Sequence, residues 1–112
     1  PGHFTILFRS SKHVPKLLDN KRATVGIRIP NEPLTLAVVE HYGKPLIATS
    51  VPRDSEGRLI TMGFMVQESY GHGLDLVLDL GEELIGQETT ILDFTSGEVE
   101  VLREGAGDLA LL

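Results

Sequence analysis

Apolar positions in this chain come in short runs, separated by polar stretches punctuated with Gly and Pro. His3–Arg9 (HFTILFR) is apolar and rich in β-formers and gives way to Ser10-Ser11-Lys12, which predicts a buried strand. Val14–Leu18 carries Pro15 where a first helical turn would sit and is followed by Asp19-Asn20, so the pattern predicts one short helix with its stop. Ala23–Ile29 (ATVGIRI) alternates with β-branched residues and ends at Pro30, which cannot donate to a ladder. Asn31 is placed to cap a helix with Pro33 in its first turn. Leu34, Ala37, Val38, Val39 and Tyr42 then recur at helical spacing as far as Gly43.

Pro45–Thr49 (PLIAT) is a short continuous apolar run, the pattern of a strand covered on both faces, and the order strand, helix, strand implies a right-handed crossover. Val51–Thr61, polar and broken by Pro52 and Gly57, predicts an exposed loop. Met62, Met65 and Val66 fit a helix over Met62–Tyr70, although Gly63 weakens it. Leu74–Leu80 (LDLVLDL) alternates with period two, and Thr89–Phe94 and Glu98–Arg103 flank Thr95-Ser96-Gly97 as a hairpin. The apolar tail Leu109–Leu112 needs a surface to cover. Strands interleaved with helices make this an α/β chain.

A length of 112 residues fits one domain with a single core, and 41% hydrophobic with 23% charged residues is an ordinary globular balance. No stretch approaches the roughly 20 apolar residues of a membrane span. There is no cysteine, which excludes disulfides, thiolate metal sites and cysteine nucleophiles and is compatible with a cytoplasmic location. The chain opens on Pro1-Gly2-His3 without an initiator Met or a signal sequence, as a cut end would. A net charge of −6 argues against general nucleic-acid binding. Yet Arg9, Lys12, Lys16, Lys21, Arg22 and Arg28 crowd the first 28 residues against Asp19 alone, so this segment can still meet an anion such as a nucleotide phosphate.

Neither a phosphate-binding GxxxxGK[ST] loop nor a GxGxxG, GxSxG or HExxH motif occurs. His3, His13, His41 and His72 fit no standard metal-ligand spacing, so no metal site is expected, and Glu82-Glu83 has the setting of a solvated turn. The informative feature is the order of several short segments. Phe4-Thr5-Ile6-Leu7 follows Pro1-Gly2; Gly26-Ile27-Arg28-Ile29-Pro30 ends one predicted strand; Lys44-Pro45-Leu46-Ile47-Ala48-Thr49-Ser50 ends another. Thr89-Thr90-Ile91-Leu92-Asp93 then leads to Val101-Leu102-Arg103-Glu104-Gly105. Together they resemble the YrdC/Sua5 family, with its P-G-P-x-T, V-R-x-P, G-x-P-L-x-x-T-S-A-N and S-T-[IV]-[VL]-D segments and a closing Arg-x-Gly.

That resemblance implies a YrdC/RibB-like twisted open mixed sheet with flanking helices, present here without the amino-terminal half and its Lys-x-Arg motif. It further implies a threonylcarbamoyl-AMP synthase, in which ATP, L-threonine and bicarbonate give threonylcarbamoyl-adenylate for tRNA modification, with Mg²⁺ accompanying the nucleotide. Arg28 and Arg103 become the candidate catalytic cations, with Thr5, Thr49, Ser50 and Arg103 on the nucleotide side and Arg28, Thr89 and Thr90 on the threonine side. A guanidinium suits both carboxylate and phosphate, and ligands in α/β sheets gather at strand ends. Two departures stand out. Val51-Pro52 replaces the family's Ala-Asn, and the ending Arg103-Glu104-Gly105-Ala106-Gly107-Asp108 has the form of the YciO branch. Without its missing half the chain is expected to be largely inactive and open to self-association through uncovered apolar surface. The competing expectation is a non-catalytic module for double-stranded RNA, resting on the basic segment from Arg9 to Arg28; a third is a remnant that folds only with a missing segment.

Overall fold

The computed structural model describes residues 1–18 and 21–112. The predicted stop at Asp19-Asn20 lies outside them. Four strands form one sheet in the order β2-β1-β3-β4: β1 (Phe4–Arg9), β2 (Thr24–Ile27), β3 (Thr90–Asp93) and β4 (Glu100–Arg103). β1 runs antiparallel to β2, with Ile6 opposite Ile27 and Arg9 opposite Thr24, and parallel to β3, with Phe4 opposite Thr90 and Leu7 opposite Asp93. β3 and β4 form the antiparallel hairpin that the sequence predicts. The described residues group into two compact units, Pro1–Leu36 with Glu88–Leu112, and Ala37–Gln87; all four strands belong to the first.

The first unit centres on β3. Leu92 is 1% exposed and Thr90 fully buried, whereas the strands on either side keep partial exposure. The Thr90 hydroxyl donates to the Gly107 carbonyl (2.8 Å) and accepts from the Gly105 amide (2.9 Å), so it is satisfied both as donor and as acceptor despite its burial. On the same face as Leu92, Phe8 and Phe94 meet edge to face with ring centroids 5.8 Å apart. Asp93 stops the strand by accepting from the Thr95 hydroxyl (2.6 Å) and the Thr95 amide (2.8 Å), which opens the hairpin turn.

Helix α1 (Pro33–Tyr42) begins with Pro at its first position, where a missing N–H is harmless. The cap is Glu32, not the predicted Asn31. Its carboxylate accepts from the Leu34 amide (2.9 Å), the Thr35 amide (2.7 Å) and the Thr35 hydroxyl (2.7 Å). A carboxylate one residue before Pro33 reaches donors that an Asn two residues before it does not.

In the second unit, α2 (Gly63–Tyr70) follows Met62 as its cap and runs into a 3-10 turn, Gly71–Gly73. The glycine that weakens the helical pattern has a local reason. A Cβ at Gly63 would collide with the Asp79 carboxylate, which lies against the first turn of α2, where a negative charge is favoured. The exposed loop predicted at 51–61 is present, tied by Asp54, whose carboxylate accepts from the Glu56 and Arg58 amides (2.9 and 2.8 Å). Two predicted strands do not form. Leu46 and Ile47 are 47% and 54% exposed, where the pattern called for a strand covered on both faces, and with no strand at 45–49 the expected crossover is absent too. Residues 74–80 likewise join no ladder, and Leu76 is 73% exposed. The physical reason is common to both. A ladder needs a neighbouring strand, and the second unit contains none among its described residues.

The bonds from the Thr35 hydroxyl, and then from the Leu34 and Thr35 amides, hold the Glu32 carboxyl below its ordinary pKa. Its support for α1 is therefore complete above the unfolded pKa and is lost as pH falls through the folded one. Amide exchange over residues 33–42 should accelerate across that acid window, and Glu32→Gln should remove the pH dependence while leaving the rest of the sheet unchanged.

Candidate functional site

One face of the sheet collects four of the polar residues singled out in the sequence, Thr5, Arg28, Thr89 and Arg103. A Cβ built on Gly26 would lie 3.3 Å from both Leu7 and Thr5 side-chain atoms, so the open side of Gly26 faces the same way as Thr5 and Leu7. In parallel register Thr5 stands opposite Ile91, which puts Ile91, and Thr89 two residues before it, on this face as well. The Thr5 and Thr89 hydroxyls are hydrogen-bonded at 2.8 Å.

Arg103 reaches the same face because of an irregularity in β4. Leu92 pairs with Val101 and Ile91 with Arg103, so Leu102 is an extra residue in the strand. Regular alternation would turn Arg103 to the side of Val101 and Leu92; the bulge turns it to the side of Ile91 and Thr89. There its Nε donates to the Thr89 carbonyl (2.9 Å) and its Nη2 to the Thr89 hydroxyl (3.2 Å). Nη1 is left 3.8 Å from Glu88 Oε2, an attraction between charges without a hydrogen bond. The guanidinium is thus fixed in orientation with donors still directed outward. Thr90, the neighbour of Thr89, points to the buried side, and its hydroxyl is committed to the 105–107 turn.

Arg28 follows the last residue of β2 and is exposed; among the described residues it makes no side-chain hydrogen bond. Alternation from Gly26 carries it to the face of Thr5. β2 and β4 are separated by β1 and β3, three strand spacings or about 14 Å, so the two arginines flank the Thr5–Thr89 pair from opposite sides. This cluster gathers at the carboxyl ends of β2 and β4, which are also the amino ends of β1 and β3. Thr49 and Ser50 lie on an exposed irregular segment of the second unit, on no strand end. Elsewhere in the first unit, Arg9 Nε donates to the Thr95 carbonyl (3.0 Å), beside Arg22 at an open hollow of about 430 Å³.

Among the described residues, no group of three or more His, Asp or Glu could hold a metal ion. His41 is exposed, as its position on α1 predicts, and Glu83 accepts from the Thr61 hydroxyl (3.1 Å) on the surface. No helix among the described residues is long and apolar enough to cross a membrane. What the cluster can do chemically is bind anions: a fixed fork, a second cation across the face and two hydroxyls between them suit carboxylate or phosphate oxygens. Glu88 and the glycines of the 105–107 turn were not among the sequence candidates. A Cβ at Gly105 would collide with the Glu88 and Thr89 carbonyls, so that turn packs directly on the backbone that orients Arg103.

Residues 1–105 match the Sua5/YciO/YrdC family model, which carries the description "Telomere recombination". The chain belongs to this family. It is 32% identical over 111 residues to the uncharacterized protein YciO of Escherichia coli (strain K12), covering 97% of this chain and 53% of YciO. It is 28% identical over 105 residues to the threonylcarbamoyl-AMP synthase of Pyrococcus abyssi, covering 94% of this chain and 31% of the synthase. A solved structure of P. abyssi Sua5 matches with a TM-score of 0.85 at 29% identity, over 99% of this chain and 34% of that one. The chain therefore spans about half the length of YciO and about a third of the archaeal proteins. Family membership and the α/β open mixed sheet agree with what the ordered segments imply. Among the relatives, the family joins proteins named as synthases to others, such as YciO, whose names assign no activity.

The two neighbouring threonines differ in what they secure. Thr90→Val should cost about 1–3 kcal/mol, because it strands the buried Gly107 carbonyl and removes the partner of the part-buried Gly105 amide, whereas Thr89→Val, on a part-buried and solvated pair, should cost about 1 kcal/mol. Urea unfolding of the two variants checks the order.

Proposed function

We propose that this chain supplies one part of the active site of a threonylcarbamoyl-AMP synthase-like enzyme. The observation that carries this reading is the polar face on which Thr5, Thr89 and Arg103 are hydrogen-bonded together, with Arg28 across it, in a chain similar to the P. abyssi synthase over 94% of its length.

The proposed chemistry is adenylyl transfer. The amine of L-threonine and bicarbonate give a carbamate with loss of water. A carbamate oxygen then attacks the α-phosphorus of ATP, forming a P–O bond as the bond to the β-phosphate breaks and pyrophosphate leaves. The product, threonylcarbamoyl-adenylate, is activated for transfer to tRNA. Negative charge accumulates around the α-phosphate, and fixed cations that need not reorganise are the economical way to stabilise it. Arg103, already locked by Thr89, takes phosphate charge in this scheme, and Arg28 takes the threonine carboxylate or a phosphate oxygen. Thr5 supports the nucleotide, and Thr89 the threonine side. Thr90 contributes by holding the 105–107 turn against β3. Thr49 and Ser50 are proposed as further nucleotide donors. Mg²⁺ accompanying ATP would, when bound, supply charge neutralisation for the leaving pyrophosphate.

Calorimetry with ATP, Mg²⁺ and threonine, run on this chain and on the protein extended through the half that its relatives possess, tests the scheme. Binding to the extended form, with little or none to this chain, is the expected result; two folded proteins that bind neither ligand would overturn the adenylate reading. In the extended protein Arg28→Ala should weaken ATP or threonine by about ten- to a hundredfold, the scale of a hydrogen-bonded charge. Unchanged binding with normal turnover removes Arg28 from the site.

A further inference from the structure

The segment Gln87-Glu88-Thr89-Thr90 places a carboxylate directly before the threonine that orients Arg103. Two of the three guanidinium nitrogens are occupied by Thr89, Nε on its carbonyl at 2.9 Å and Nη2 on its hydroxyl at 3.2 Å. Nη1 keeps both of its N–H groups for a ligand, and this is the nitrogen beside Glu88, at 3.8 Å from Oε2. The distance is too long for a hydrogen bond and short enough for the charges to attract, screened by the water that both side chains reach.

Glu88 is also held in place through its backbone. Its carbonyl accepts from the Ala106 amide (2.8 Å), and the closely packed Gly105 covers the Glu88 and Thr89 carbonyls. The turn that packs on the Thr89 carbonyl therefore also anchors the backbone from which the Glu88 side chain extends. Both side chains keep contact with water, 39% exposed for Arg103 and 44% for Glu88, so an incoming anion can reach the same nitrogen.

From this we infer that Glu88 is a positioning residue acting through Arg103: it occupies the electrostatic place of a ligand oxygen at Nη1 and sets how tightly that nitrogen takes an anion. In the unliganded protein the carboxylate partly neutralises the guanidinium and holds Nη1 toward the open face. On binding, a phosphate or carboxylate oxygen of the ligand takes over the interaction, and the Glu88 carboxylate gives up its place at Nη1. The residue thereby weakens anion affinity at Arg103 while keeping the fork directed outward. This role presupposes the ATP and threonine ligands of the proposed function.

Because the two side chains are partly hydrated, the effect belongs to the range of exposed ion pairs. In the extended protein, Glu88→Gln should tighten Mg²⁺-ATP binding by about two- to fivefold at low salt, a gain that shrinks as salt screens the competing charge. Glu88→Asp, which keeps the charge, should stay near the parent affinity, whereas a purely structural role would make Gln and Asp behave alike. Titrations of the parent protein and both variants at low and high ionic strength decide the matter. Equal or weaker binding by Glu88→Gln at low salt, with the parent protein binding normally, overturns the role of Glu88 and leaves the adenylate reading intact. A folded parent protein that binds neither ATP nor threonine overturns both.

Discussion

The hydroxyl of Thr90 is the fixed point of the first unit. It sits in the most enclosed strand of the sheet with no exposure, and both of its bonds go to the turn after β4. A hydroxyl in such a place is stable only when both its donor and its acceptor capacity are used. Those two bonds bring the chain after Arg103 back across the start of β3. There Gly107 packs on His3 and Phe4 without room for a Cβ, and Gly105 does so on Glu88 and Thr89. The polar face on the other side of the sheet depends on this hidden contact, because Arg103 is aimed by the very stretch of backbone that the turn clamps.

Much of the first unit was legible in the sequence. HFTILFR, ATVGIRI and the two arms around Thr95-Ser96-Gly97 give strands because each sits between polar breakers and finds a partner in the same unit. PLIAT and LDLVLDL have equally good strand patterns and do not form ladders. Periodicity reports which faces a segment would bury, and it is silent on whether a neighbour exists to bond the backbone. The cap of α1 shows the same limit on a smaller scale: Asn31 has the favoured residue type, but Glu32 has the reach.

The candidate site was legible as a set of residues and not as an arrangement. Order and spacing pointed to Thr5, Arg28, Thr49, Ser50, Thr89, Thr90 and Arg103; Thr5, Arg28, Thr89 and Arg103 share one face, Thr90 turns to the buried side, and Thr49 and Ser50 lie on no strand. What alternation misplaces is Arg103. Counting by two from Val101 sends it to the buried side, and the additional residue at Leu102 reverses this. No rule applied to VLREG alone reveals a bulge, which depends on the register against Ile91 and Leu92. Glu88 escaped notice for a related reason: its importance lies in a spatial neighbour 15 positions away in the chain.

The parallel contact between β1 and β3 has a consequence for how the chain comes to be folded. β1 ends at Arg9 and β3 starts at Thr90, so the central seam of the sheet waits for nearly all of the intervening sequence. At the usual pace of a ribosome, about 5–20 residues per second, that delay is on the order of 4–16 seconds. Of the four described strands only β1 and β2 precede that interval, and the edge of β1 that β3 later pairs with keeps its ladder groups unbonded by β3 until the interval ends. The seam that unites the sheet is therefore a long-range contact, of the kind whose loop-closure cost makes pairing slow relative to the local β3–β4 hairpin.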